Sequence, residues 1–391
     1  MRLTHLFKYY WPDNGGGVAR SMDLVILSFK EWCKDETRRS KGQDNNQQII
    51  TCWQKSGKAA SKDIFNEIPV YRCKSLFEFA STQFSSQFIR VMDKKTKKSD
   101  VTIYNFPYPL VDLGILFGKV HGKLVVWWHC DFATSKFRFL KNLYAPLVKN
   151  TLKKADKIVT CAKGNIRGSD LLKPFKDKCV VIPHAVDDWW AEDGEKAYAE
   201  WEKNIENNKF DTINIVFVGR FVWYKGIDYM LKAYKRLKGK NFSLTLVGKG
   251  PLLKKMKNLA KELQLENVIF AGSVSDKEKF NYIKNSDFMV LPSISEAESF
   301  AHVQLEAMSL GKPVINTWLN SGVPDVCPNG VGGITVHPKN EKELYEAMNK
   351  LSFDDKLRIK YSQGAMQFAR EHYRMSRLIE SYKDLFDELS K

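Results

Sequence analysis

The chain has 391 residues, of which 43% are hydrophobic and 27% charged, a balance that fits a soluble globular protein and excludes a disordered one. A length well above the roughly 150 residues of one domain predicts two domains, and no apolar run approaches the ~18 residues of a membrane span, the richest (Leu110 to Phe117) carrying Asp112. The net charge of +17 is unevenly placed, since residues 1 to 186 hold 32 Lys+Arg against 16 Asp+Glu and the remainder 30 against 29, so any anionic partner, a membrane face or a nucleic acid, is expected at the first half.

Leu3 to Phe7 predicts a strand, broken by the run Trp11 to Gly17 before an amphipathic helix with Val18, Met22, Val25, Ile26 and Phe29 at helical spacing. Strand, glycine loop and helix form a phosphate-binding topology, although a run of glycines on its own reads as a plain turn. Strands are expected at Gln48 to Trp53, Val70 to Cys73 and Val101 to Asn105, with a helical stretch around Leu76 to Met92 whose charged end, Lys94 to Lys98, reads as solvated. This alternation predicts a parallel sheet covered on both faces by helices. Lys123 to His129 is a buried strand that delivers His129 at its carboxyl end, where ligands gather in such sheets. Phe137 to Lys154 reads as a basic pair of helices, followed by strands at Lys157 to Cys161 and from Val180. The seven cysteines are odd in number, lack a C-x-x-C pair and read as reduced buried thiols. No His/Cys cluster has metal-ligand spacing. The N-terminus lacks the apolar core and cleavage site of a secretory signal, so a cytosolic protein is expected.

Asp188 to Asp211 is a polar linker with a connecting helix, and a second domain follows. Its opening, NIVFVGRFVWYKGIDYMLKAY, reads as strand, basic turn and helix. Arg220 in that turn can fork two phosphate oxygens and Lys225 adds a point charge. Further strands are expected at Phe242 to Gly250 and Val268 to Val274. Residues 287 to 317 then predict strand, short polar turn, helix and strand, with Glu298 and Glu306 placed across the turn and Gly311 stopping the helix. Free N–H groups of Ser299, Phe300 and Ala301 at the helix head suit an anion, and the two carboxylates suit hydroxyl groups on either side of it. That layout fits a sugar nucleotide. The chain closes with an amphipathic helix from Glu371 to Leu389.

The string Glu298, seven residues, Glu306, then A-M-x-x-G-x-P resembles the E-x7-E signature of retaining glycosyltransferases of GT-B architecture, family 4, and Gly219, Arg220, Lys225 and Gly226 resemble that family's G-R-x4-K-G element. The resemblance covers nearly the whole chain, more loosely before residue 213. It implies an α/β protein of two Rossmann-like, doubly wound domains facing a central cleft: an acceptor domain at 1–187, a linker at 188–211, a nucleotide-sugar domain at 212–370 and a C-terminal helix at 371–391 crossing back to the first domain.

It implies transfer of a hexose, with retention, from a UDP- or GDP-hexose to a hydroxyl of a glycan or polyprenyl diphosphate-linked precursor of a bacterial surface polysaccharide. The catalytic residues it implies are His129, Arg220, Lys225 and Glu298. The donor site it implies is Gly16, Gly17, Gly219, Arg220, Lys225, Val274, Glu298, Ser299, Phe300, Ala301, Val303 and Glu306. No metal or other cofactor and no nucleic acid are expected, and the place expected is the cytoplasmic face of the membrane, held peripherally. Two departures stand out: Ala301 occupies a usual glycine position, and His184-Ala185 replaces the usual Asn-Gly before Val186-Asp187. The alternatives are a GT-B-fold nucleotide-sugar epimerase or hydrolase, which would release free sugar, and a basic membrane or nucleic-acid adaptor with a vestigial site.

Overall fold

A computed structural model describes residues 1–13, 17–34, 46–79, 82–131, 140–203 and 212–391. The chain divides into two compact units, the first made of residues 1–161, 169–182 and 378–391 and the second of residues 162–168 and 183–377.

The first unit is built on an eight-stranded sheet of order β10-β9-β8-β7-β1-β2-β4-β3. Its strands are β1 (Arg2–Leu6), β2 (Asn46–Cys52), β3 (Ser61–Phe65), β4 (Ile68–Cys73), β7 (Val101–Phe106), β8 (Lys123–Trp128), β9 (Lys157–Thr160) and β10 (Cys179–Val181). All pairings are parallel except β3 with β4. The central strand β7 is buried at every residue, as expected for a parallel strand covered on both faces. Phe106 and Trp128 stack at 4.1 Å inside a core that also holds Leu6, Ile50, Tyr104 and Val126. Most of the last helix, Met375–Ser390, belongs to this unit. Its Tyr382 hydroxyl accepts from Trp127 Nε1 at 2.6 Å, its Asp387 accepts from Trp32 Nε1 at 2.8 Å, and its Phe386 meets Phe29 edge-on at 5.2 Å.

Two stretches of this unit differ from expectation. Residues 76 to 92 do not form one helix: β5 (Phe77–Phe79) and β6 (Thr82–Phe84) make a small antiparallel hairpin, and the helix runs only over Phe88–Thr96. Aromatic residues at alternate positions favour the hairpin, in which Phe77 and Phe84 stack at 4.8 Å across the strands. Strand β3, a segment for which the sequence carried no assignment, closes the sheet edge with an alternating half-exposed pattern. Of the basic helical stretch, residues 137–139 lie outside the described residues and the rest is the single helix Leu140–Lys154.

The second unit has a six-stranded, wholly parallel sheet of order β13-β12-β11-β14-β15-β16. The strands are β11 (Thr212–Val218), β12 (Asn241–Val247), β13 (Val268–Gly272), β14 (Phe288–Val290), β15 (Val314–Thr317) and β16 (Gly333–Val336). The order reverses between β11 and β14, and the carboxyl ends of strands at such a reversal leave the crevice in which open α/β sheets hold ligands. Among the described residues no helix is long and apolar enough to cross a membrane.

Candidate functional site

Both sequence motifs of the second unit emerge at this reversal. Strand β11 leads into Gly219, Arg220 and a short 3-10 turn over Trp223–Lys225, and β14 leads into the loop that carries Ser293 and Glu298. Gly226 ends the turn at φ +61, where a Cβ would stand 2.1 Å from the Pro292 carbonyl oxygen. Ile294 N donates to Tyr224 O at 2.8 Å, so the two loops lie side by side. Gly248 plays a similar part behind β11, since a Cβ on it would meet Gly219 O at 2.0 Å.

This packing brings Lys225 Nζ to 2.5 Å from Glu298 Oε2. Both side chains are buried, and burial of an ammonium or a carboxylate is tolerated only when each is paired. Ser293 Oγ donates to the same Glu298 oxygen at 3.1 Å. Lys225 therefore differs from its expected state: it is a buried partner of Glu298, whereas Arg220 is exposed.

The loop after Glu298 is held by contacts from distant segments. Asn165 Nδ2 donates to Ser299 Oγ at 3.0 Å and Gly322 N donates to Ser299 O at 2.8 Å. Phe300 meets His184 edge-on at 5.0 Å, and His184 lies 4.2 Å from the His302 ring. Ala301 stands at φ 63, ψ 77, the left-handed region that glycine favours, which explains why glycine is usual there. The helix itself is short, His302–Met308, and Val303 packs with Leu291, Ala301, Leu319 and Val323. Within it Glu306 Oε1 accepts from Lys279 Nζ at 2.8 Å. Burial works against the Lys279 charge, and the Glu306 and Asp276 carboxylates outweigh it, holding the ammonium pKa above its usual range.

The structure thus joins Gly219, Lys225 and Glu298 and places Ser299, Phe300, Ala301, Val303 and Glu306 on the continuing loop and helix. Val274 follows β13, two strands from β11. His129 and Gly17 belong to the first unit, and Gly16 lies outside the described residues. His129 sits just past β8, with Nε2 and Asn105 Oδ1 3.0 Å apart and its ring stacked on Trp127 at 4.3 Å. Lys8, just past β1, has its pKa lowered by burial despite the opposing influence of Cys130 and Glu78. Sequence reasoning passed over Lys8, Asn165, Lys279 and Ser293; only Ser293, five residues before Glu298, had a local signal. Among the described residues no group of three or more His, Cys, Asp or Glu side chains is placed to hold a metal ion.

Residues 199–368, which contain this whole arrangement apart from Asn165 and His184, match the family described as glycosyl transferases group 1. The second unit carries a glycosyl transferases group 1 domain. The chain is 29% identical over 389 residues to O-antigen chain mannosyltransferase C of Escherichia coli, covering all of this chain and 99% of that protein. It is 28% identical over 352 residues to the D-rhamnosyltransferase WbpZ of Pseudomonas aeruginosa, covering 90% of this chain and 86% of that one. The solved structure of HepE from Anabaena, in complex with UDP, superposes with a TM-score of 0.70 at 14% identity over the full length of both chains. The protein is a glycosyltransferase, and its fold is GT-B.

Proposed function

We propose that this glycosyltransferase moves a hexose from a nucleotide diphosphate sugar to a hydroxyl of a lipid-linked glycan precursor in surface-polysaccharide synthesis, with retention at the anomeric carbon. The observation that carries the reading is the buried Lys225–Glu298 pair at the strand-order reversal. Lys225 has three N–H donors, so it can hold Glu298 and a phosphate oxygen together. Glu298 then has a fixed position from which to accept from sugar hydroxyls. Arg220 takes the departing diphosphate from the solvent side, and Glu306, steadied by Lys279, takes the ribose. In this scheme Ser299 to Ala301 approach the phosphates and Val274 the base. Val303 supports the phosphate loop from beneath.

The acceptor oxygen attacks the anomeric carbon from the face that the diphosphate leaves, and the acceptor proton passes to a diphosphate oxygen. Charge growing on that group is met by two cations and backbone N–H groups, contacts of a kind that contribute about 3 to 4 kcal/mol each. No metal has a step in this scheme. Full-length likeness to an O-antigen mannosyltransferase supports a surface-polysaccharide acceptor. The sugars in the two relatives' names, mannose and D-rhamnose, share the D-manno configuration, which makes a D-manno donor the first choice. The basic first half supports a peripheral position on an anionic membrane face.

The test is thermal stability with GDP, UDP and ADP, followed by transfer from the matching sugar nucleotide with the product anomer read by NMR. A nucleotide at ~100 times its dissociation constant adds about 2.7 kcal/mol. Stabilisation by one nucleotide and an α-linked product from an α-linked donor are expected. Indifference to all three nucleotides, or an inverted product, would overturn the reading.

A further inference from the structure

In the first unit, well away from His129, strands β3 and β4 and the helix Phe88–Thr96 enclose a pocket of about 340 Å³. Its walls include Lys62, Tyr71, Gln87, Lys94 and Lys95, together with Arg72. It lies against β4, four strand spacings from β8, on the order of 20 Å.

The charge of this pocket is one-sided. Among the described residues no Asp or Glu lines it. Arg72 is already neutralised, donating to Asp63 Oδ2 at 2.7 Å and to the carbonyls of Tyr10 and Trp11, so it serves as wall. The three lysines have no such partner: among the described residues none of Lys62, Lys94 and Lys95 makes an ion pair with a carboxylate. They converge all the same. Lys95 Nζ lies 3.7 Å and Lys62 Nζ 5.8 Å from the centre of the Tyr71 ring, so one aromatic ring gathers two ammonium groups. Gln87 completes the wall at the N-cap of the helix, which it does not cap, and its Nε2 is buried out of reach of the pocket.

We propose that this pocket binds a phosphate group, with the lysines supplying charge and hydrogen bonds and Tyr71 an apolar wall for the carbon chain or ring that bears the phosphate. The site is independent of the donor reading above, because it uses none of the same residues. Three ammonium groups form a donor set for phosphate oxygens. The phosphate can belong to a lipid headgroup or to a free phosphate ester, and the chemistry of the pocket is the same for both.

The experiment uses the full chain, the pocket variant K62Q/K94Q/K95Q, and K254Q/K255Q/K261Q as a control carrying the same charge change on exposed lysines of the second unit. Each is tested with inorganic phosphate against chloride at equal ionic strength, by thermal shift, and with phosphatidylcholine vesicles with and without phosphatidylglycerol, by co-sedimentation. Binding of phosphate that falls at least tenfold in the pocket variant, and not in the control, assigns the pocket to a free phosphate ester. The same pattern on phosphatidylglycerol vesicles without a response to phosphate assigns it to a headgroup. Equal behaviour of pocket and control variants on both probes overturns the site, because retention would then follow net charge alone. A parallel loss of sugar transfer in the control and pocket variants would not enter this comparison, since the readout is binding.

Discussion

Arg220 and Lys225 sit five residues apart in one basic turn, yet their surroundings differ. Arg220 is exposed, and Lys225 is buried against Glu298. Removal of each should therefore separate catalysis from stability. Arg220→Ala is expected to lower turnover at least roughly a hundredfold with an unchanged melting temperature, since an exposed fork for phosphate does no work in the empty fold. Lys225→Ala is expected to lower both, because it leaves the Glu298 carboxylate buried without its cation, a change that typically costs about 3–5 kcal/mol. Turnover measured beside denaturant melts checks both, and an Arg220→Ala enzyme of normal rate would remove that residue from the mechanism. Both strings were legible in the sequence; their meeting was not, because local spacing carries no information on which strand lies beside which.

At the scale of elements, the helix Pro109–Leu116 is joined to the helix Leu140–Lys154 through one carboxylate. Buried Asp112 accepts from Tyr104 Oη at 2.7 Å, from Thr151 Oγ1 at 2.7 Å and from the Tyr144 hydroxyl. Burial raises its pKa to about 6 although these hydrogen bonds pull it down. A folded value above the unfolded one means that the group's contribution is whole below about pH 4 and is lost as the pH rises through 6, a total of about 3 kcal/mol. The stability advantage of the native chain over Asp112→Asn is expected to shrink by about 2 kcal/mol of that total between pH 4.5 and pH 7, measured by urea melts. A constant difference would show that Asp112 does not titrate in this window. The sequence marked Asp112 only as the charge that interrupts an apolar run, because its three donors come from other elements. The hairpin β5–β6 was missed for a related reason: over so few residues, apolar spacing suits a helix and a strand alike, and cross-strand stacking decided between them.

At the scale of the molecule, charge is the property most open to experiment. The excess sits in residues 1 to 186, 32 Lys+Arg against 16 Asp+Glu. Retention on anionic vesicles is expected to fall steeply when salt is raised from about 0.05 to about 0.5 M, as the screening length drops below the ~10 Å found at 0.1 M. Co-sedimentation across that range checks it, and salt-independent retention would point to insertion of apolar groups, for which exposed Phe77 and Phe79 are available.

The chain by itself determined the α/β class, the alternation of strands and helices, and the two motifs of the second unit, because these depend on the order of residues within a few turns of backbone. Only the tertiary structure decided that β11 lies beside β14, so that Lys225 meets Glu298, that Lys279 steadies Glu306, and that Lys62 and Lys95 both lie against the Tyr71 ring. The physical reason is that such contacts follow from strand order and burial, which join residues far apart in the chain, and only there do charges lose enough water for their partners to matter.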